Sequence, residues 1–360
     1  MAGFDYAFGI SAVDLSNNGI LDLVAADTNV GLYWFENDGK GNFTKHIIHE
    51  RSGEWLERHA IADINGDGQP EIVIVDNINA SILWFEFNGD PRDINNWSHH
   101  YITKGGIPGA YDVDVADFDG NGALDVVASS WCKGNQFTWF ENRNGAWIKH
   151  IIEDNIAETR MICAADVNRD GKIDILGTAR VGNQVVWYQN PGIPSHQPWR
   201  KHIIDISPQP IHGHPIDMDG DGDLDLVMAL GMMPPEEGSD FIDHKIVWYE
   251  NDGNPTSGPW KKHIICDNFP HAFEAIAADL DNDGQIEVVA SAWHDTGRIV
   301  LFKHQGDPRG PWTMQILKDG WVRANQIILA DLNGNGLLDI VAAAERGSNE
   351  VRWWRNEGPC

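Results

Sequence analysis

The chain has 360 residues, 42% of them hydrophobic, with 37 glycines, 17 prolines, 16 tryptophans and a formal charge of −28. So acidic a body excludes a nucleic-acid-binding surface, which needs cationic side chains against phosphate. No apolar run approaches the roughly 18 residues of a transmembrane helix, so no membrane insertion is expected. Cys132, Cys163, Cys266 and Cys360 form no Cys-x-x-Cys pair, which speaks against a zinc ribbon or a dense disulfide framework. Length alone suggests two or three domains unless one repeat takes up the whole chain.

A repeat does take it up. An Asp-rich loop followed by an apolar strand recurs seven times: DLSNNGILD from Asp14, DINGDGQPE from Asp63, DFDGNGALD from Asp117, DVNRDGKID from Asp166, DMDGDGDLD from Asp217, DLDNDGQIE from Asp279 and DLNGNGLLD from Asp331. Successive copies are 49, 54, 49, 51, 62 and 52 residues apart. A short apolar run follows each loop, then an aromatic strand (LYWFEN, ILWFEF, FTWFEN, VVWYQN, IVWYEN, IVLFKH, VRWWRN), then in six repeats a third signature (FTKHII, WSHHYI, WIKHII, WRKHII, WKKHII, WTMQIL). Each unit reads as four short β-strands, A to D, with the Asp loop as the A–B hairpin. Four strands per unit, seven times, predict an all-β, seven-bladed β-propeller of four-stranded antiparallel blades over 1–360, with blades starting near 9, 58, 112, 161, 212, 274 and 326. Blade 7 runs out of chain where its strand D should start, so it is expected to have three strands, or further domains lie outside this chain. No secretory signal is read in residues 1–9.

The DxDxDGxxD loops and WYEN strands resemble the FG-GAP/VCBS repeat family of propellers, over essentially the whole length. That group includes the integrin α-subunit head, a fungal propeller lectin and the propeller parts of sugar lyases and of aldos-2-ulose dehydratase. The combination of WYEN, WxKHII and HGH resembles the enzyme-associated members most, which implies carbohydrate as ligand or substrate.

The loops themselves read as calcium sites. Ca²⁺ takes six to eight oxygen ligands, and carboxylates or amides at positions 1, 3, 5 and 9 with glycine at 6 can wrap one. Six copies fit: Asp63, Asn65, Asp67 and Glu71; Asp117, Asp119, Asn121 and Asp125; Asp166, Asn168, Asp170 and Asp174; Asp217, Asp219, Asp221 and Asp225; Asp279, Asp281, Asp283 and Glu287; and Asp331, Asn333, Asn335 and Asp339. The first copy (Asp14, Ser16, Asn18, Asp22) is weaker. Twenty-one of the 54 acidic residues stand at these positions, so the net charge is chiefly a metal-binding feature. Since calcium loops work best where calcium is abundant, an extracellular or periplasmic location is the expectation.

The opposite rim carries what the repeat does not explain. Eleven tryptophans sit at repeated core positions, but Trp55, Trp131, Trp293 and Trp321 fall in D–A or B–C segments, where aromatic faces can stack on sugar rings. His59, His212, His214, His271 and His294 are likewise unrepeated. Strict alternation along the innermost strand A directs residues one, three and five before each Asp loop to the central channel. Asp112, Asp114, His212, His214 and Glu274 should then converge at its mouth, with Arg58 nearby, and such a set could hold one further divalent metal or do acid–base work. Tyr111, Arg160, Arg180, Arg323 and Arg346 share the rim, the arginines as clamps for a carboxylate. The insertion 231–244 should overhang it. One unsymmetrical central site favours a carbohydrate lyase or dehydratase acting by β-elimination, with His212 or His214 as base or metal ligand, Glu274 and Asp112 as ligands or acid, and Arg160 and Arg323 as clamps. The alternatives are a calcium-dependent lectin-like or adhesion module and a protein-docking platform.

Overall fold

The computed structural model describes residues 1, 3–233 and 244–358, so most of the insertion 231–244 lies outside the described residues. Seven antiparallel sheets are present, each with its strands in chain order. Blade 1 comprises β1 (Ala7–Val13), β2 (Asp22–Asp27), β3 (Gly31–Asn37) and β4 (Phe43–Glu50), and blade 2 comprises β5 (Leu56–Ala62), β6 (Glu71–Asp76), β7 (Ser81–Phe87) and β8 (Trp97–Thr103). Blade 3 holds β9 (Ala110–Ala116), β10 (Asp125–Ser130), β11 (Gln136–Arg143) and β12 (Ala146–Glu153); blade 4 holds β13 (Thr159–Ala165), β14 (Asp174–Ala179), β15 (Gln184–Gln189) and β16 (Arg200–Ile206). Blade 5 is β17 (Pro210–Ile216), β18 (Asp225–Leu230), β19 (Lys245–Glu250) and β20 (Lys261–Cys266); blade 6 is β21 (Ala272–Ala278), β22 (Glu287–Ala292), β23 (Arg298–Lys303) and β24 (Thr313–Lys318). Blade 7 has three strands, β25 (Ala324–Ala330), β26 (Asp339–Ala344) and β27 (Glu350–Trp354). The chain is thus a seven-bladed β-propeller with six four-stranded blades and a three-stranded last one.

Local chemistry explains each unit. The sixth residue of every Asp loop is a glycine with φ between 81° and 91° (Gly19, Gly68, Gly122, Gly171, Gly222, Gly284, Gly336), a conformation that a Cβ would oppose. Strand B is buried at all six positions in every blade, because both of its faces meet a neighbouring sheet. Its near-continuous apolar run has that cause. The core is accordingly a set of inter-blade layers: Val24 and Trp34 of blade 1 pack with Ile72, Ile74 and Phe85 of blade 2, and Val341 and Val351 of blade 7 pack with Leu23 and Phe35 of blade 1.

Polar straps complement these layers. The position-9 carboxylate is buried, and in blades 1, 3, 4, 5 and 7 it accepts two backbone N–H groups; Asp174 takes those of Val167 (3.2 Å) and Asn190 (2.7 Å). In blades 1, 4 and 7 the Asn ending the WYEN-type motif then reaches sideways. Asn190 Nδ2 donates to Phe118 O of blade 3, and Asn37 Nδ2 donates to Leu332 O of blade 7, closing the ring.

Strand A departs from the alternation expected of it. A–B pairing loses register once in every blade, for example between Leu56 and His59, Thr159 and Ile162, and Pro210 and Gly213. The same irregularity recurs in the other four. Such bulges re-aim side chains and leave a backbone group off the ladder. Here the freed N–H of one blade is taken by the preceding blade's side chain: Ile162 N–H donates to Asp112 (3.3 Å), Ile327 N–H to Glu274 (3.0 Å) and Ile10 N–H to Gln326 (2.9 Å).

Candidate functional site: an arginine-aromatic pocket at the hub

At the hairpin end, four loops bring carboxylate oxygens of three residues within 4.8 Å of one another: Asp63, Asp67 and Glu71; Asp117, Asp119 and Asp125; Asp217, Asp219 and Asp225; and Asp279, Asp281 and Glu287. Ca–O bonds of about 2.3–2.6 Å span that separation across one ion, so the donor sets fit calcium. The loops differ in what already offsets their charge. Arg309 binds Asp219, and Lys303 lies 2.7 Å from Asp281 and 3.6 Å from Glu287. Lys172 lies 2.9 Å from Asp170 in the blade-4 loop. Asn65 and Asn121 act as donors within their loops, to Asp67 (3.3 Å) and to Asp119 (3.0 Å). Asn333 of blade 7 likewise donates to Asp339. Among the described residues, the loops of blades 1, 4 and 7 form no such trio.

At the hub, the polar ring closes on itself. Arg58 of blade 2 reaches across to Glu274 of blade 6 through two bonds of 3.2 Å, both residues being buried. His212 Nδ1 lies 3.8 Å from Asp112. Burial pushes the Asp112 carboxyl up to about 7 and raises that of Glu274, each countered by Arg58. Burial, with Arg58 and Arg160 adding repulsion, holds His212 well below the usual imidazole range, so it is neutral at pH 7. Among the described residues no three metal-ligating groups at the hub lie within reach of a single ion, and Arg58 supplies the positive charge there. His214 lies farther down the channel, half-buried, its pKa lowered by burial.

Above this ring opens a pocket of about 600 Å³. The bulge in strand A makes its floor, turning Phe8, Glu57, Tyr111, Arg160 and Phe273, all six residues before an Asp loop, toward the axis. Walls come from the entry to strand A (Tyr6, Trp55, Arg323) and from the residue after strand B (Trp131, Arg180, Trp293, Glu345). Four arginines line it. Arg160 lies over the Tyr111 and Trp131 rings at 4.6 Å each, Arg323 over Trp293 at 5.0 Å, and Arg346 over Tyr6 at 4.5 Å and Trp55 at 5.8 Å. Arg180 and Arg160 share Glu158, at 2.5 and 3.6 Å. Arg323 and Arg346 make no ion pair within 4.0 Å among the described residues.

Two acids face these cations. Glu57 is 4% exposed; its Oε1 accepts from Trp55 Nε1 (2.7 Å) and its Oε2 has no hydrogen-bond partner. Burial pushes this carboxyl up to about 8. Glu345, also raised by burial, accepts from Trp293 Nε1. Tyr111 stands between the pocket and His212: its Oη lies 3.0 Å from His212 Nε2 and the two rings stack at 5.6 Å.

Of the residues singled out in the sequence, Trp55, Tyr111, Trp131, Arg160, Arg180, Trp293, Arg323 and Arg346 meet in this pocket, with Arg58, Asp112, His212 and Glu274 in the layer beneath. Four others lie apart from the lining. His59 is buried against Gly9 of blade 1, its pKa lowered to about 4 by burial. His271 and His294 stack on each other at 4.2 Å, with His271 Nδ1 2.8 Å from Met232 O. Trp321 is buried in the blade 6–7 layer and donates to Glu350 (2.6 Å). Strict alternation missed Phe8, Glu57 and Phe273. The signal was present as a column of unlike residues (Phe8, Glu57, Tyr111, Arg160, Ile211, Phe273, Asn325) where inter-blade packing alone would demand apolar ones.

Comparison with known proteins agrees with this architecture. Two crystal structures of BBS1N in complex with ARL6DN, one soaked with mercury and one with lead, superpose on the chain with TM-scores of 0.62 and 0.61, at 11% identity in both cases. The match covers 98% of this chain and 92% and 93% of theirs. No curated protein matches significantly in sequence. The family described as FG-GAP-like repeat matches residues 14–74, 63–128, 166–228 and 279–342, well over half of the chain. Seven sheets, each built around a glycine-turned acidic hairpin, with four stretches of the chain carrying that match, make this chain a member of the FG-GAP-like repeat family.

Proposed function

We propose that the hub pocket binds a carboxylated carbohydrate, a uronate being the simplest, and acts on it by β-elimination. The observation that carries this reading is the gathering of four arginines around an aromatic-walled pocket that also holds a buried acid with one unpartnered oxygen. Aromatic faces suit the apolar face of a pyranose ring, and guanidinium groups suit its carboxylate. Arginines beside the carboxylate also stabilise the charge that develops on it when the neighbouring carbon loses its proton. Glu57, raised to about 8, is the group placed to take that proton; the bond to the β-oxygen then breaks, and the departing oxygen picks up a proton from a pocket acid or water. His212 acts through Tyr111, holding its hydroxyl in place from below. The test is a screen of uronates and oligouronides for binding and for the ultraviolet absorbance of an unsaturated product. Binding with product supports the whole reading, and binding without product leaves a lectin. No binding at millimolar ligand rejects both.

A second reading has its own observation. Val30, Ile78, Val181 and Met233 are exposed apolar residues beyond strand B of blades 1, 2, 4 and 5, on the pocket rim. The fold neighbour was crystallised with a protein partner. Protein docking on this rim predicts that Val30→Asp and Val181→Asp abolish partner capture while leaving uronate binding intact.

We further propose that the loops of blades 2, 3, 5 and 6 hold calcium as hairpin clamps, which suits a calcium-rich compartment. Their clustered, mutually repelling carboxylates support this. Metal analysis after dialysis against calcium should find about four ions per chain, and finding none would reject it.

A further inference from the structure

We infer that the groove between blades 2 and 3 is a docking site for an extended proline-arginine segment of a partner protein, whose arginine sits over Trp84 and pairs with Glu86. The groove measures about 780 Å³ and is bordered by Trp84 of strand C in blade 2, Trp147 of strand D in blade 3, Asn65 and His100. Asp63 also lines it, and none of its lining residues is a lysine or an arginine. In blades 1, 3, 4 and 5 the strand-C tryptophan (Trp34, Trp139, Trp187, Trp248) is fully buried, whereas Trp84 is partly exposed.

Two filled grooves show what the place takes, because there the C–D turn of the next blade supplies the cover. In the turn of blade 2, Arg92 lies over Trp34 (5.7 Å) and donates to Glu36 (3.0 Å), while Pro91 O accepts from Trp97 Nε1 (2.8 Å). The turn of blade 6 repeats Gly-Asp-Pro-Arg. Arg309 lies over Trp248 (5.9 Å) and donates to Glu250 (3.1 Å), and Pro308 O accepts from Trp312 (3.0 Å) and Trp248 (3.2 Å). Blade 3 instead joins strands C and D by Asn144 and Gly145 alone, both at positive φ, a tight hairpin with no segment to spare. Trp84 is left uncovered, and Trp147, the counterpart of Trp97 and Trp312, has no proline carbonyl in its own turn.

The charge is unmatched as well. Glu36, Glu141 and Glu250, each two residues past the tryptophan, meet Arg92, Arg143 and Arg309. Blade 4 has Gln189 there and no charge to match. Glu86 holds this position in blade 2, 2.7 Å from His100 and 3.2 Å from Asn65, and meets no lysine or arginine among the described residues. The histidine does not stand in for one, since its equivalents accompany the arginine in blades 1, 3 and 5. A proline-arginine segment brings both missing parts: a guanidinium for Glu86 and the Trp84 face, and a carbonyl for the Trp147 indole N–H.

The probe is the chain's own blade-6 turn, a labelled peptide of residues 304–310, unaltered or carrying Arg309→Ala, titrated against the full chain by fluorescence polarisation. The expected result is saturable binding of the unaltered peptide, about tenfold tighter than the Arg309→Ala peptide. Glu86→Gln in the full chain, which keeps the shape of the side chain, should erase that preference without changing circular dichroism. No saturation at millimolar concentration, equal affinity for the two peptides, or a preference that survives Glu86→Gln overturns the inference. Displacement of the peptide by a neutral disaccharide but not by N-acetylarginine amide overturns it in favour of a sugar site.

Discussion

The two ends of the wheel follow opposite rules. At the hairpin end, the same acids, amides and glycine recur seven times, and each sheet solves the same local problem of turning strand A into strand B. At the pocket end, the topologically equivalent column reads Phe8, Glu57, Tyr111, Arg160, Ile211, Phe273 and Asn325, and no two neighbours agree. Repetition marks positions that answer to the sheet. Its absence marks positions that answer to something the sheet does not need, and a pocket holding four arginines in a chain of charge −28 is that kind of place.

The contrast can be broken at either end. The largest effect is expected from Glu57→Gln, which should lower turnover of a uronate by roughly 10²–10⁴-fold with little loss of binding. The wild-type rate should climb as pH rises through about 8, because burial keeps the carboxyl protonated below that value and only the ionised form takes a proton. A pH-independent rate between 6 and 9 would remove Glu57 from the chemistry. Next, Arg160→Ala or Arg323→Ala should weaken binding of a uronate about ten- to hundredfold by calorimetry while leaving affinity for the neutral sugar within about twofold. Equal losses for both sugars would mean that the arginines merely buttress the aromatic walls.

Calcium sharpens the other side. At a hundredfold excess over its dissociation constant, each ion adds about 2.7 kcal/mol to stability, so chelation should lower Tm visibly. The Lys303 ammonium competes for Asp281, so Lys303→Ala should raise calcium affinity at blade 6 alone, read by calorimetry with loop variants as controls. The smallest effect belongs to the repeated surface stacks. His150→Ala removes one ring stacked on Trp139 at 4.5 Å and should cost about 1 kcal/mol in denaturant unfolding, with no change in ligand binding. A change in ligand binding would show that the two ends are coupled.

Much of the fold was legible because it rests on local chemistry. The Asp-x-x-x-x-Gly turn, the unbroken apolar strand B and the Trp-x-x-Asn ending of strand C each announce an element, and the lack of a strand D signature after Trp354 left two readings, a three-stranded blade 7 or a longer protein, of which the described residues show three strands. The site was legible only in part. Trp321 and Trp55 look alike in the sequence, yet one is sealed between blades by Glu350 and Trp354 and the other borders the pocket. His212 and Glu274 were read as facing ligand, but they lie in the layer below, where Glu274 caps a neighbouring strand and His212 supports Tyr111.

The sequence by itself determined the number of blades, their strand order, the acidic hairpins and the end of the wheel on which unlike residues collect, since each of these follows from contacts within one repeat. Which of those residues share a pocket was decided only by the tertiary structure. A bulge in every strand A shifts the inward-facing set by one residue, and ring closure sets side chains as distant in sequence as Arg58 and Glu274 3.2 Å apart. Neither the register slip nor the distance across the axis is written in any single repeat, because both arise from seven sheets sharing one hub.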